Sequence, residues 1–313
     1  DLAFRSHQRD AVTAGGSGAA AVGLDVGEYI SALRNKLVLS RLGAKFITGL
    51  TNDFDLPRMS ETTQAQWGGE GSPLPESTPE FEPVEMRPKQ LSTVVNMTRR
   101  ALIQSVENVS LEQVIRDDLL SSVAIALEEA ALNGGISSNY QPTGILNHPD
   151  TLSGSSLGAN GGPVSRENLL ELESLVSEQN ADIGSLNFLT SAKGRGHLRA
   201  VKVDDGSGEF LWERAERGYE DQPGMGSILG YNAMLSNSIP SNLEKGTSNN
   251  LTGIIFGNWQ DLCVGEWGVI DVTSNPYGFG FYQGLISIRI LGDFDIQLRR
   301  GKSFAYLKDV DPS

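Results

Sequence analysis

Residues 110–134, SLEQVIRDDLLSSVAIALEEAALNG, decide how the rest of the chain is read. The apolar residues Leu111, Val114, Ile115, Leu119, Val123, Ala126, Leu127 and Ala130 recur at the period that lays one stripe along an α-helix. The pattern predicts a long helix with Ser110 capping its first turn, Gln113 returning the bond, and Gly134 leaving through a left-handed conformation. At about 1.5 Å per residue it is roughly 35 Å long, the width of a small domain. Glu112, Arg116, Asp117, Glu128 and Glu129 fall on the other face, so the helix reads as a spine, wet on one side.

Upstream of the spine, residues 1–24 are polar and then small, ending in AVTAGGSGAAAVG. This reads either as a flexible tail or as an arm that becomes ordered by lying on another subunit. Tyr29, Ile30, Leu33 and Leu37 predict a short helix that Gly43 stops and that packs near the spine. KFITGLTNDFDLPRM suggests strands, with QLSTVVNMTRRALI at 90–103 as their partner. Between them, residues 59–86 hold Glu61, Glu70, Glu76, Glu80, Glu82 and Glu85, with four prolines and no Lys or Arg. Such an insert makes a long hairpin-like loop, too polar to build its own core. An exposed Trp67, followed by Gly68, Gly69 and Glu70 and preceded by Arg58 at the loop's start, favours an intersubunit arm over a disordered insertion.

Downstream, residues 139–162 read as a loop whose Gly/Ser/Asn-rich end is a natural domain boundary. Ser165 caps a second helix with Leu169, Leu172 and Val176 on one face, SLNFLTS follows as a strand, and 192–200 as a short helix. Strand-like pieces then alternate with turns, the last block bending at Gly292-Asp293 and again near Arg300-Gly301. Helical and strand-like segments are both present along the chain, and the expected fold class is α+β.

Composition excludes several functions. With 313 residues and 39% hydrophobic content the chain can build a sizeable core. A net charge of -14 argues against gripping nucleic acid, which needs clustered cations. Cys263 is the single cysteine, so no intrachain disulfide or cysteine-based metal cluster forms, which fits a reducing cytoplasm. No apolar run approaches the roughly 20 residues a bilayer requires, and the amino end lacks both a signal core and Met, so Asp1 is expected to be a processed or trimmed end.

The motifs of catalysis fail on context. Gly154-Ser155-Ser156-Leu157-Gly158 matches a hydrolase nucleophile elbow in letters, but lies in a loop where the chemistry needs a strand before and a helix after. Gly301-Lys302-Ser303 ends like a phosphate loop, yet Ile296 stands where the first glycine belongs, and the segment reads as strand. Asp204, Asp205, Ser207 and Glu209 break the calcium-loop spacing and read as an acidic turn. No catalytic, cofactor-binding or metal-binding residue is therefore expected. The densest basic patch, Lys193, Arg195, His197 and Arg199, suits an acidic loop from a neighbouring copy, which makes Lys193, Arg195 and Arg199 candidates for inter-subunit charge contacts.

In order, LPRM at 56–59, WGGEG, RRALIQS, RDDLLSSVAIALEEAALNG with QPTGILN, LGYNAMLSNSIP, GIIFGNWQDLCVGEWGVIDV and the terminal strand block resemble one family. It is the major capsid proteins of tailed double-stranded DNA bacteriophages, with the Hong Kong-97-type capsid fold. The resemblance implies an N-terminal arm at 1–27 and a peripheral domain at 28–57 and 88–146 carrying the spine at 111–133. It also implies an extended loop at 58–87, an axial domain at 147–289 and peripheral return strands at 290–313. By the same resemblance, copies self-assemble as hexamers and pentamers of an icosahedral head, formed in the host cytoplasm and enclosing DNA without reading its sequence. A portal, a scaffold and a maturation protease are the implied helpers. Some members weld neighbours through a Lys on the extended loop. Residues 59–86 contain none, and Lys89 lies at the loop's base, so no such cross-link is expected. The competing readings are an encapsulin-like compartment around protein cargo and a serine hydrolase built on Ser156.

Overall fold

The structure is a computed structural model and describes residues 11–12, 38–61, 63, 65, 67, 78–104, 111–135, 140–203, 208–214, 224–278 and 280–312. Most of the N-terminal arm, the start of the first helix, the Ser110 cap, and Gly68, Gly69 and Glu70 lie outside the described residues.

The first half runs β1 (Ala11–Val12), α1 (Leu39–Leu42), β2 (Lys45–Leu50), β3 (Phe54–Glu61), β4 (Glu80–Met86), β5 (Lys89–Thr98), α2 (Arg99–Gln104) and the spine, α3 (Leu111–Asn133). Then come β6 (Leu152–Ser153), α4 (Arg166–Glu178), β7 (Leu186–Thr190), α5 (Ala192–Ala200), β8 (Glu213–Arg214), β9 (Gly226–Ile228), β10 (Tyr231–Leu235) and β11 (Leu243–Lys245). The long strands close the chain: β12 (Ser248–Asn258), β13 (Leu262–Asn275), β14 (Leu285–Leu298) and β15 (Phe304–Val310).

Among the described residues the strands form a five-stranded sheet ordered β1-β5-β14-β13-β2, an eight-stranded sheet ordered β6-β15-β12-β7-β10-β9-β8 with β11 beside β12, and the hairpin β3-β4. The spine lies across β5 and β14. Leu111, Ile115, Leu119, Val123 and Leu127, four apart, are buried with Ile288, Ile290, Phe294 and Ile296. Burial of each such side chain contributes about 1.5–3 kcal/mol. β12 alternates, as a strand with both faces covered must: Ile255 joins this core, while Ile254 and Phe256 face a second one with Leu169, Leu172 and Val176 of α4. Trp259 belongs to the first core, its Nε1–H donating to Asn187 O of β7 at 3.0 Å and its ring edge-on to Phe304. At the start of α4, Ser165 N–H and its hydroxyl both donate to Asn168 Oδ1, at 3.0 and 2.7 Å.

Several expectations are corrected. β2 does not pair with β5: β2 lies parallel to β13, β5 antiparallel to β14, and β3 turns back on β4. The insert therefore begins inside its own hairpin, and the large apolar strands, far along the chain, claim β2 and β5. Arg99–Gln104 is helical, with Thr98 Oγ1 accepting from Ala101 N–H, because RRALIQ is rich in helix formers. β14 runs straight through Gly292-Asp293 opposite an irregularity in β13, and the chain reverses instead at 276–284. Residues 301–303 form a 3-10 turn, not strand.

Two corrections concern the spine itself. Gly134 is not left-handed. A Cβ there would stand 2.0 Å from Pro142 O and 2.5 Å from Ala130 O, so the glycine serves close passage of the returning chain, with Gly144 N–H donating to Gly134 O at 3.0 Å. Gly43 does take the left-handed exit of α1, at φ 103°. Glu128, assigned to the wet face, is 1% exposed.

Candidate assembly surface

The β3-β4 hairpin is built to project. Its root is fixed by charge and burial. Arg87 Nη1 meets Asp55 Oδ1 at 2.6 Å, with Asp53 and Glu85 each at 3.4 Å, and these acids, the Asp55 hydrogen bond foremost, raise the guanidinium's proton affinity. Lys89 Nζ lies 2.6 Å from Asp295 Oδ1, and Asp295 Oδ2 accepts from Arg87 N–H at 2.9 Å. Asp295 is fully buried, so this pair pins the base of the insert to β14. Beneath it, Met86, Cys263 and Trp267 form a small core, and Trp267 Nε1–H donates to Asn52 O at 2.7 Å.

Beyond the root the support ends. Among the described residues β3 and β4 pair only with each other, and a lone two-stranded hairpin is marginal in water. Met59 faces Phe81 in the register, and they are 47% and 63% exposed, while Trp67 is fully exposed. Large apolar side chains held out on a projecting ribbon mark a surface that something else covers. Arg58 bridges to Glu82 at 3.0 Å and reaches Asp150 at 3.8 Å. It thus steadies the hairpin against the body.

The second predicted group separates. Lys193 Nζ donates to Asn250 Oδ1 at 2.6 Å and to Ser241 O at 3.4 Å. Arg195 and Arg199 instead line a cleft of about 430 Å³ with Trp212, Glu213 and Met225. Sequence reasoning missed a third feature, the rings of Tyr277, Phe281 and Tyr282 at the reversal between β13 and β14. They contact one another with centroids 6.1 and 5.7 Å apart and stand exposed. An aromatic-rich stretch where a polar turn is the norm was the available signal.

The serine motif has no catalytic geometry. Lys245 Nζ donates to Ser156 Oγ at 2.6 Å and to Asp309 Oδ2, so the ammonium presents protons and no lone pair to the hydroxyl. The Cys263 thiol is buried, and desolvation pushes its pKa up, away from the reactive thiolate.

Known proteins carry the same organisation. The model of the phage capsid family matches residues 26–309. The major capsid protein of Halomonas phage phiHAP-1 is 28% identical over 277 residues, covering 88% of this chain and 41% of its own length. The chain thus spans less than half of that relative. The capsid of a native GTA particle superposes with a TM-score of 0.69 at 17% identity, over 95% of this chain and 98% of that one. The holo-SrpI encapsulin complex of Synechococcus elongatus gives 0.66 at 14% identity, over 93% and 94%. The matched span takes in the spine, both large sheets and the projecting hairpin, and the chain belongs to the phage capsid family.

Proposed function

We propose that this chain is the major shell subunit of a tailed phage, self-assembling as hexamers and pentamers into an icosahedral head around double-stranded DNA that it does not read by sequence. The observation that carries the reading is the β3-β4 hairpin, anchored at its root and uncovered at Met59, Phe81 and Trp67. Weak contacts repeated on every copy add through avidity while letting misplaced copies leave. In this reading the spine and five-stranded sheet form the peripheral body and the eight-stranded sheet the axial body, which moves β13 out of the axial stretch expected at 147–289 and β15 out of the peripheral stretch expected at 290–313, and portal, scaffold and maturation protease act during assembly. The Hong Kong-97-type fold is shared with an encapsulin, so a compartment for protein cargo is the second reading. The family match and the curated capsid relative favour the phage shell. Negative-stain imaging with nuclease-protected DNA measured on the same particles tests it: hollow shells that protect DNA are expected, and shells holding only protein would overturn the genome part. Lys89 is engaged with Asp295 and residues 59–86 hold no lysine, so mass spectrometry of dissociated shells should show single chains and no covalent ladders.

A further inference from the structure

We infer that Asn160 is a site of spontaneous deamidation, where the chain converts itself to aspartate and isoaspartate and so loosens its hold on the end of β15. The inference goes beyond the shell reading and needs no second copy.

Asn-Gly pairs are the most open to this chemistry, because a following glycine has no side chain to keep its backbone nitrogen away from the asparagine amide. The chain has two, Asn133-Gly134 and Asn160-Gly161. The structure separates them. Asn133 ends the spine, Gly134 N–H is committed to Ala130 O at 3.0 Å, and Gly134 O accepts from Gly144 N–H at 3.0 Å. Attack there requires the helix end to open first. Asn160 is exposed in a turn, and Gly161 N–H reaches only Gly158 O at 3.4 Å, beyond the usual hydrogen-bond range. Thr247 N–H donates to Asn160 Oδ1 at 3.1 Å, where it draws electrons from Cγ and stabilises the negative charge that attack places on that oxygen.

The reaction balances with water alone. Gly161 N gives its proton to hydroxide and bonds to Asn160 Cγ. The Cγ–Nδ2 bond breaks, and the nitrogen leaves as ammonia with a proton from water. Water then opens the five-membered imide at either carbonyl. Opening at Cγ gives aspartate on the ordinary backbone, and opening at the backbone carbonyl gives isoaspartate, whose chain runs through Cβ and gains one methylene. That methylene has no room. Gly162 N–H donates to Asp309 O at 3.1 Å, Asp311 N–H to Gly162 O at 2.9 Å, and a Cβ on Gly161 would stand 2.6 Å from Asp309 O. The isoaspartyl chain therefore loses this clasp, whereas the aspartyl chain keeps it, since a carboxylate also accepts from Thr247 N–H.

Ageing the full chain in warm, mildly alkaline buffer, folded and in urea, tests this by mass spectrometry of chymotryptic peptides, because cuts at Tyr140 and Leu157 separate the two pairs. In the folded chain the Asn160 peptide should gain about 1 Da at least about tenfold faster than the Asn133 peptide, in two chromatographic forms, while in urea the two react alike. Equal rates in the folded chain, or an Asn160 that reacts only in urea, would overturn the assignment. Hydrogen exchange at Gly162 and Asp311 should be at least about tenfold faster in the isoaspartyl fraction than in fresh chain, with N160D as protected as wild type. Unchanged exchange in the isoaspartyl fraction, or equal loss of protection in N160D, would overturn the loosening of β15.

Discussion

Glu128 is a carboxylate sealed in the spine's packed face. Its Oε2 accepts from Val38 N–H at 3.0 Å and its Oε1 from the Ser236 hydroxyl, so one side chain joins the spine to the chain entering α1 and to the segment after β10. Burial, partly offset by these bonds, raises its pKa above the ordinary 4.5. The folded state therefore binds the proton more tightly than the unfolded one. Stability from this group is full below about pH 4.5 and is lost as pH rises through the raised folded value. Glu128→Gln keeps both contacts without the charge, so its urea midpoint should gain on wild type from pH 4 to pH 8. A constant difference across that range would contradict the burial argument. Glu128→Ala strands the Val38 N–H and should cost about 1–3 kcal/mol. Asp295→Ala leaves Lys89 and Arg87 N–H unpaired beside the core and should cost about 2–4 kcal/mol in the same measurement.

At the scale of the element, the hairpin is an anchored ribbon with a bare outer part. Of the four tryptophans, Trp212, Trp259 and Trp267 are buried and Trp67 is exposed. Assembly should therefore shift tryptophan emission to shorter wavelength, and Trp67→Ala should abolish the shift and weaken association by about 2 kcal/mol per contact. An unchanged spectrum on assembly would mean that Trp67 stays in water. The spine was legible in the sequence because its period is local, as were the α4 cap and the Gly43 exit. Strand partners were not. Lys45 pairs with Cys263, and Asn96 with Ser287, across separations that no local pattern records. Glu128 was misplaced for the same reason, since its partners stand 90 and 108 residues away. The insert was legible by composition, as a stretch of acids and prolines around one tryptophan. The aromatic cluster at Tyr277 was passed over because its rings lie between two strands, in a stretch that shows neither period.

For the whole molecule, the two cores lie on opposite faces of β12, which contributes Ile255 to one and Ile254 and Phe256 to the other, while the exposed apolar side chains of the hairpin lie on a projection. That division suits a tile: the body sets the shape and the hairpin reaches a neighbour. The net charge of -14 keeps free copies apart, and higher ionic strength, which screens that repulsion, should favour assembly until it also screens attractive charge contacts between copies. Assembled yield should thus peak at intermediate salt in a titration followed by light scattering, where a steady rise to molar salt would argue that charge pairs play no part. Sedimentation velocity over a wide concentration range tests the central claim most directly. The 33.6 kDa chain should convert cooperatively into megadalton particles, and a single monomer boundary at every concentration and salt would contradict the account.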